Sequence, residues 1–444
     1  MIKKIRNLYL PTRFFLAGGA IVLLFIAGFP FPVFFSLAQT AILFFIGAII
    51  VDIFLLFNGA VKLYAVRSMS KLLSLGNENK VTLRVRSEYK LPLSIRLIDE
   101  LPFQLQKRDF SINFKLSSKE KKQFSYKIRP LVRGEYNFGK IHLFAKSILG
   151  IVERRISLDK EVIAPVYPSV MDMKKYEIRT VAKLATSFGI KKIRRLGHSY
   201  EFEQIKEYVI GDDYQSVNWK ATSRANRLMV NHYEDERAQQ IYSLIDKSRY
   251  MKMPFNGLSL LDYAINASLV ISNTALLKQD KAGLITFSDK VESIVKSDRH
   301  RNQLKLILET LYREEESKLE ANYELMYSVM RNTIKGRSLV FLFSNFESIY
   351  SLERVLPMLR RINKQHLLVV VVFENTELIN YYSEGAENLE DIYLKTIAHR
   401  FASEKNQIIN ELRHFGIQSI FTKPEQLTIN SINKYLELKS RGMI

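Results

Sequence analysis

The sequence predicts a multi-domain chain: a two-helix transmembrane hairpin, a small antiparallel β-sandwich, and an α/β doubly wound domain. Three observations carry that prediction. Two long apolar runs fall within the first 57 residues. Period-two alternation fills most of the next hundred, and after Ala238 strand runs alternate with amphipathic helix patterns. The expected segments are an anchor at 1–75, a sandwich at 76–168, a basic linker at 169–196, a charged stretch at 197–237 and the α/β domain at 238–444.

In the anchor, Lys3, Lys4, Arg6 and Arg13 precede an apolar run at 14–35, and a second run at 37–57 holds one charge, Asp52. Each is long enough to cross about 30 Å of hydrocarbon as a helix. A cleavable signal peptide, with Ser36-Leu37-Ala38 as its cleavage site, is the rival for the first run, but the apolar region is too long and a second span follows at once. The link from Pro30 to Gln39 carries no charge, whereas Lys62, Arg67 and Lys71 follow the second span. The positive-inside rule then places both flanks, and everything after them, in the cytoplasm. Asp52 is expected to snorkel or pair with the partner helix, with a functional carboxylate as the alternative.

Within the sandwich, Val81-Leu83-Val85, Leu93-Ile95-Leu97, Ile112-Phe114-Leu116 and Phe124-Tyr126-Ile128 place apolar residues at every second position, with turns such as Arg133-Gly134 between strands. Modules of this kind space or bind. Between Lys174 and Arg195 the linker holds eight Lys or Arg, with Glu177 the only acid in that stretch. It suits a flexible connector, an anionic lipid surface or an acidic partner.

The stretch 197–237 is the densest in charge and holds the only Trp, Trp219. Ser199 can cap a short helix carrying Glu201 and Glu203 in its first turn, and Gly211 suits that helix's end. Asp213 can cap a second helix through Trp219 to Arg224, which sets Lys220 and Arg224 on one face. Trp219 is expected to be buried, holding this corner against the α/β sheet.

Strands are predicted at Gln240–Ile245, Ala282–Phe287, Leu339–Phe343, Leu367–Phe373 and Ile417–Phe421. Helices are predicted at Leu258–Leu277, Leu304–Tyr312 and Tyr323–Thr333, through Val355, Leu359 and Ile362, through Ile397, Phe401, Ile408, Leu412 and Phe415, and after a cap near Thr428 or Asn430.

The motif Phe202, Glu207-Tyr208, Gly211-Asp212-Asp213, Asn218-Trp219-Lys220, Ser223-Arg224, Glu236-Arg237 resembles the signature of a MoxR-associated bacterial membrane family, number fifty-eight in the domain-of-unknown-function series. Arg133-Gly134-x-Tyr136-x-Phe138-Gly139 and Leu149-Gly150 extend the resemblance into the sandwich; Lys206 and Gln215 replace two family Arg. It implies that the α/β domain is von Willebrand A-like, and that the partners are a MoxR-type AAA+ ATPase, other von Willebrand A-domain proteins and the lipid bilayer. Asp246-Lys247-Ser248-Arg249-Tyr250 then resembles the Asp-x-Ser-x-Ser metal motif of A domains, with Tyr250 in place of the third ligand. Asn345 stands where an Asp is expected, and the loop Thr is missing from 314–332. Asp246, Ser248 and Asn345 therefore make a degenerate metal site, and no cofactor is expected beyond weak Mg²⁺.

Composition excludes several classes. Cys is absent, so disulfides and thiolate chemistry are excluded. No phosphate loop occurs, and the seven His, among them His198 and His232, show no metal-ligand spacing. The net charge is +21, and the first 240 residues hold 39 Lys or Arg against 21 Asp or Glu. Beside two apolar spans, that excess suits an anionic membrane better than nucleic acid. The expected function is a non-enzymatic adaptor working with the ATPase. The rival is a metal-dependent hydrolase built on Glu201, Glu203, Glu207, Asp212, Asp213 and Glu234 to Glu236, acids that alternate with Lys220, Arg224, Arg227 and Arg237 and so read first as ion pairs.

Overall fold

The computed structural model describes residues 7–57, 63–158, 160–169, 201–210, 212, 214–234, 238–383, 385 and 388–443. The predicted linker, Lys62, Ser199, Gly211, Asp213, Glu236 and Arg237 lie outside the described residues. The chain divides into two compact units, Met1–Ser169 and Val170–Ile444.

In the first unit, helix α1 (Thr12–Ala27) starts after Pro11 and ends at Gly28, and α2 (Pro32–Phe57) starts on a proline, the residue best suited to a first helical position. The break therefore falls at 28–31 and α2 begins five residues before the predicted second run, because Pro30 and Pro32 supply no N–H to continue a helix. Phe14 against Phe45 and Phe25 against Phe35 pack the two helices together. By length and composition α2 can cross a membrane. However, Ile49, Ile53, Leu56 and Phe57 pack into the core of the β domain. Residues 32–48 precede that packed end, about 25 Å of helix, close to the about 24 Å of the 16-residue α1.

The strands of this unit are β1 (Leu8–Tyr9), β2 (Leu63–Ser68), β3 (Leu73–Ser74), β4 (Asn79–Ser87), β5 (Leu93–Asp99), β6 (Ser111–Leu116), β7 (Lys121–Ile128), β8 (Gly134–Phe138), β9 (Ile141–Lys146), β10 (Glu153–Leu158) and β11 (Val162–Tyr167). They form sheets of order β1-β10-β9-β5-β6, β2-β4-β7 and β3-β11-β8. Alternate residues Leu63, Ala65, Leu83, Val85, Ile95, Leu97, Leu143 and Ala145 fill the core between the first two. All pairings but one are antiparallel; β11 and β3 run parallel, Val166 opposite Leu73. The β domain also starts earlier than predicted, because β2 pairs with β4.

Two contacts fix α2 to these sheets. Asp52 is fully buried; it accepts hydrogen bonds from Ser147 Oγ, from Ile151 N at 2.9 Å and from Val152 N at 2.8 Å. It neither snorkels nor pairs with α1, as the sequence reading had it. The Leu56 carbonyl, one of the acceptors that a helix end leaves without a partner, takes Arg154 Nη1 at 2.6 Å and the Tyr89 hydroxyl at 3.1 Å. Arg67, counted above as a flanking positive charge, is instead buried on Asp99 and also donates to the carbonyls of Lys160 and Gly139.

In the second unit a hairpin of β12 (Glu201–Glu207) and β13 (Met229–Glu234) brackets the short helix α3 (Trp219–Ala225). The remaining elements are β14 (Gln240–Asp246), β15 (Pro254–Phe255), β16 (Leu258–Ser259), α4 (Leu260–Leu277), β17 (Lys281–Phe287), β18 (Val291–Asp298), α5 (Gln303–Arg313), α6 (Tyr323–Thr333), β19 (Leu339–Phe343), α7 (Ile349–Gln365), β20 (Leu367–Phe373), α8 (Thr376–Ser383), α9 (Leu389–His414), β21 (Gln418–Thr422) and α10 (Leu427–Ser440). One sheet of order β18-β17-β14-β19-β20-β21 runs parallel except for β18, an edge strand that the sequence reading did not name. Its central strands β19 and β20 are buried at every residue, as expected of strands covered on both faces. Ile241, Ile245, Phe341 and Val369 face α4 and α10, whereas Leu244, Leu342 and Val370 face α6, α7 and α9. Helix α4 is as long and apolar as a membrane span but lies buried in the core. A reciprocal capping box between Ser259 and Asp262 starts it. The start of α10 differs from prediction: it follows a turn at Pro424–Gln426, ahead of Thr428 and Asn430.

Candidate functional site

The carboxyl ends of the parallel strands bring the predicted metal residues together. Asp246 ends β14, and Ser344 and Asn345 follow β19, its hydrogen-bonded neighbour. Asp246 is only 1 % exposed, and protein donors engage both its oxygens. Oδ1 accepts from Ser248 N at 2.8 Å; Oδ2 accepts from Ser344 Oγ at 2.7 Å and from the Tyr323 hydroxyl at 3.3 Å. Burial pushes the Asp246 carboxyl up, against the lowering effect of these bonds. Burial, with Asp246 alongside, pushes the Tyr323 phenol well up as well, so it stays a donor.

Asn345 is held differently. Its amide nitrogen donates to the Tyr250 carbonyl at 3.0 Å, while its amide oxygen accepts from Lys405 Nζ of α9 at 2.9 Å. Lys405 also donates to the Phe346 carbonyl. The Tyr250 hydroxyl lies in a surface cluster with Arg249 and Glu320 and donates to Glu320 at 2.9 Å. These residues do not fit Mg²⁺. The single carboxylate is already taken up by hydroxyls and an amide, and an ammonium sits on the one oxygen offered by Asn345, where it repels a second cation. Among the described residues no group of three or more His, Asp or Glu is placed to hold a metal.

The next residue, Lys247, forms a separate buried cluster. Its ammonium is 2.5 Å from Glu314 and 2.6 Å from Glu292, and Thr286 Oγ1 donates to Glu314 at 2.9 Å. Burial opposes the charge on Lys247, but the hydrogen bonds to Glu292 and Glu314 outweigh it and raise its pKa.

The signature stretch differs most from expectation. The segment holding Glu201 and Glu203 is strand β12, paired antiparallel with β13, Glu201 opposite Glu234 and Glu207 opposite Met229. Phe202, Ile205 and Tyr208 fall three apart, a helical spacing that hid the strand from the sequence. Helix α3 is present as predicted, but Asn218 caps it, accepting from Ala221 N at 3.0 Å and donating to Asn231 at 2.8 Å. The acids meet bases: Asp212 takes Lys206 at 2.7 Å and Glu207 takes Arg227 at 3.3 Å. Tyr208 packs on Tyr214 at 5.4 Å. Trp219 is not buried; it is 70 % exposed, as are Tyr214 at 73 % and Ile210 at 97 %, and Lys220 and Arg224 are exposed too. Tyr323, Ser344 and Lys405 were missed as site residues. Only Ser344, adjacent to Asn345, carried a signal; Tyr323 and Lys405 come from helices distant in sequence.

Comparison with known proteins agrees with the signature. Residues 204–392 match the family model described as "Protein of unknown function DUF58". The uncharacterized protein YeaD of Bacillus subtilis (strain 168) is 25% identical over 207 residues, 44% of this chain. The match spans about half of that relative, 52% of its length. Among solved structures, the conserved hypothetical protein BatB of Bacteroides thetaiotaomicron is similar over 45% of this chain and 99% of its own, with 11% identity and a TM-score of 0.28. The ASH / PapD-like domain of human CEP192 covers 24% of this chain and 84% of its own, with 10% identity and a TM-score of 0.18.

Proposed function

We propose, on the premise of that family match, that the chain is a non-enzymatic adaptor of the bacterial cytoplasmic membrane whose signature hairpin docks a MoxR-type AAA+ ATPase. One observation carries the reading. The hairpin exposes Ile210, Tyr214 and Trp219 within ten residues of one another, with Lys220 and Arg224 beside them. Exposed Trp and Tyr next to basic side chains is the composition of a binding hot spot, and the basic residues select an acidic rim on the partner. The α/β domain, von Willebrand A-like in this reading, presents the client or meets other A-domain proteins. Asp246 is then a structural carboxylate that works without Mg²⁺. The hydrolase alternative has less support, since Asp212 and Glu207 are held in ion pairs.

The test is co-purification of the full chain, in an uncharged detergent, with a MoxR-type ATPase from the same genome. Trp219→Ala is expected to leave unfolding unchanged and weaken capture by about 10- to 100-fold, the range of a hot-spot truncation. A chelator is expected to leave wild-type capture intact. Undiminished capture by the variant would remove the hairpin from the interface.

The two apolar helices are proposed to form a hairpin with both ends cytoplasmic. The charge argument now rests on Lys3, Lys4, Arg6, Arg13, Lys62 and Lys71, because Arg67 is committed to Asp99. A phosphatase fused after residue 444 should be inactive, and a fluorescent protein fused there should be bright. The opposite pattern reverses the topology.

A further inference from the structure

Beyond the carboxyl ends of β19, β20 and β21 lies a cavity of about 390 Å³, walled by apolar side chains that include Phe255, Phe373, Leu378 and Phe401. Ligands of parallel α/β sheets sit at this end, and the volume falls in the usual range for small-molecule sites. Its polar lining includes Asn345 and Lys405. The Lys405 ammonium donates only to two neutral oxygens, those of Asn345 and Phe346, and among the described residues no carboxylate lies within 4 Å of it. An ammonium taken out of water without an anion is costly, and the usual remedy is a bound counter-charge.

We infer that this pocket binds a carboxylate carried on an apolar body, with the Lys405 ammonium as its charge partner. The inference goes beyond the adaptor reading and stands whether or not the hairpin docks a partner. Glu347 and Glu374 also line the pocket, so a ligand anion is tolerated only where it contacts the Lys405 ammonium directly, and a second carboxylate on the ligand is disfavoured. Burial lowers the Lys405 pKa to about 8, against the raising effect of Glu347 and Glu404. Affinity should therefore hold below pH about 8 and fall above it, as the amine loses its charge while the ligand stays ionised. The charged groups facing the amine are Glu347, Glu374 and Glu404.

The experiment is calorimetric titration of the full chain, in an uncharged detergent, with hexanoate and with hexanamide, which has the same body without the charge. Hexanoate is expected to bind with a Kd of about millimolar or tighter, and hexanamide at least about tenfold more weakly. Two tripeptides ending in leucine, one a free acid and one amidated, distinguish the sources. A free-acid peptide that binds more tightly than hexanoate points to a protein C-terminus, and the reverse order to a free acid. Lys405→Met removes the charge and keeps the stem. Asn345→Asp leaves Lys405 in place and supplies an internal carboxylate, so it should also abolish binding while the fold is kept. Equal binding of the amide, absence of binding by both acids, or binding that survives either variant overturns the inference.

Discussion

Replacing Asp52 by Ala is expected to cost about 3–5 kcal/mol. The carboxylate is buried at the end of an apolar helix and accepts from one hydroxyl and two backbone amides of the loop between β9 and β10. Deleting it leaves Ile151 N and Val152 N without an acceptor, at about 1–3 kcal/mol for each buried donor. Asp52→Asn keeps one acceptor oxygen and should lose roughly half as much. The measurement is thermal unfolding of the full chain in an uncharged detergent, with limited proteolysis at 147–152 as a local readout. Wild-type stability in Asp52→Ala would mean that Arg154 and Tyr89 at the Leu56 carbonyl hold the helix to the sheets alone. In functional terms, this contact decides whether the anchor and the β domain act as one rigid unit or as a hinge.

Glu314→Ala should destabilise the second unit by about 3–5 kcal/mol, toward the lower figure because Glu292 still reaches Lys247. The substitution leaves a buried ammonium with one half-exposed partner, and Thr286 loses its acceptor. A double change, Lys247→Met with Glu314→Leu, should recover most of the loss, since apolar replacement of a buried pair is often neutral. The pH dependence has a definite sign. The folded-state pKa of Lys247 is raised, so the pair's contribution is fully present below the unfolded Lys pKa and is lost as pH rises through the higher folded value. Chemical denaturation at neutral and alkaline pH measures this. A Glu314→Ala chain with wild-type stability near neutral pH would show that Glu292 alone suffices.

By itself the sequence determined that the chain has more than one domain, and most of the central elements. Helix α6 and strands β19 and β20 coincide with their predicted bounds, because long β-branched or strongly periodic runs leave one way to bury their apolar faces. It also put Asp246 and Asn345 at the carboxyl ends of two strands, which the sheet makes neighbours, although Asp246 bonds Ser344 and Asn345 bonds Lys405. Tertiary structure alone decided how those residues are used. Lys405 lies 60 residues beyond Asn345, and Tyr323 lies 77 beyond Asp246. No local pattern signals that a helix from elsewhere will deliver an ammonium to Asn345 or a hydroxyl to Asp246. The same holds for Asp52, whose acceptors' donors come from about 100 residues away, and for Arg67, drawn inward by Asp99. Trp219 shows the converse. Its size argued for burial, yet α3 is too short and too polar to cover it, and the ring is left on the surface beside Lys220. Periodicity reports which face of an element is apolar; only the packed chain decides whether anything covers that face.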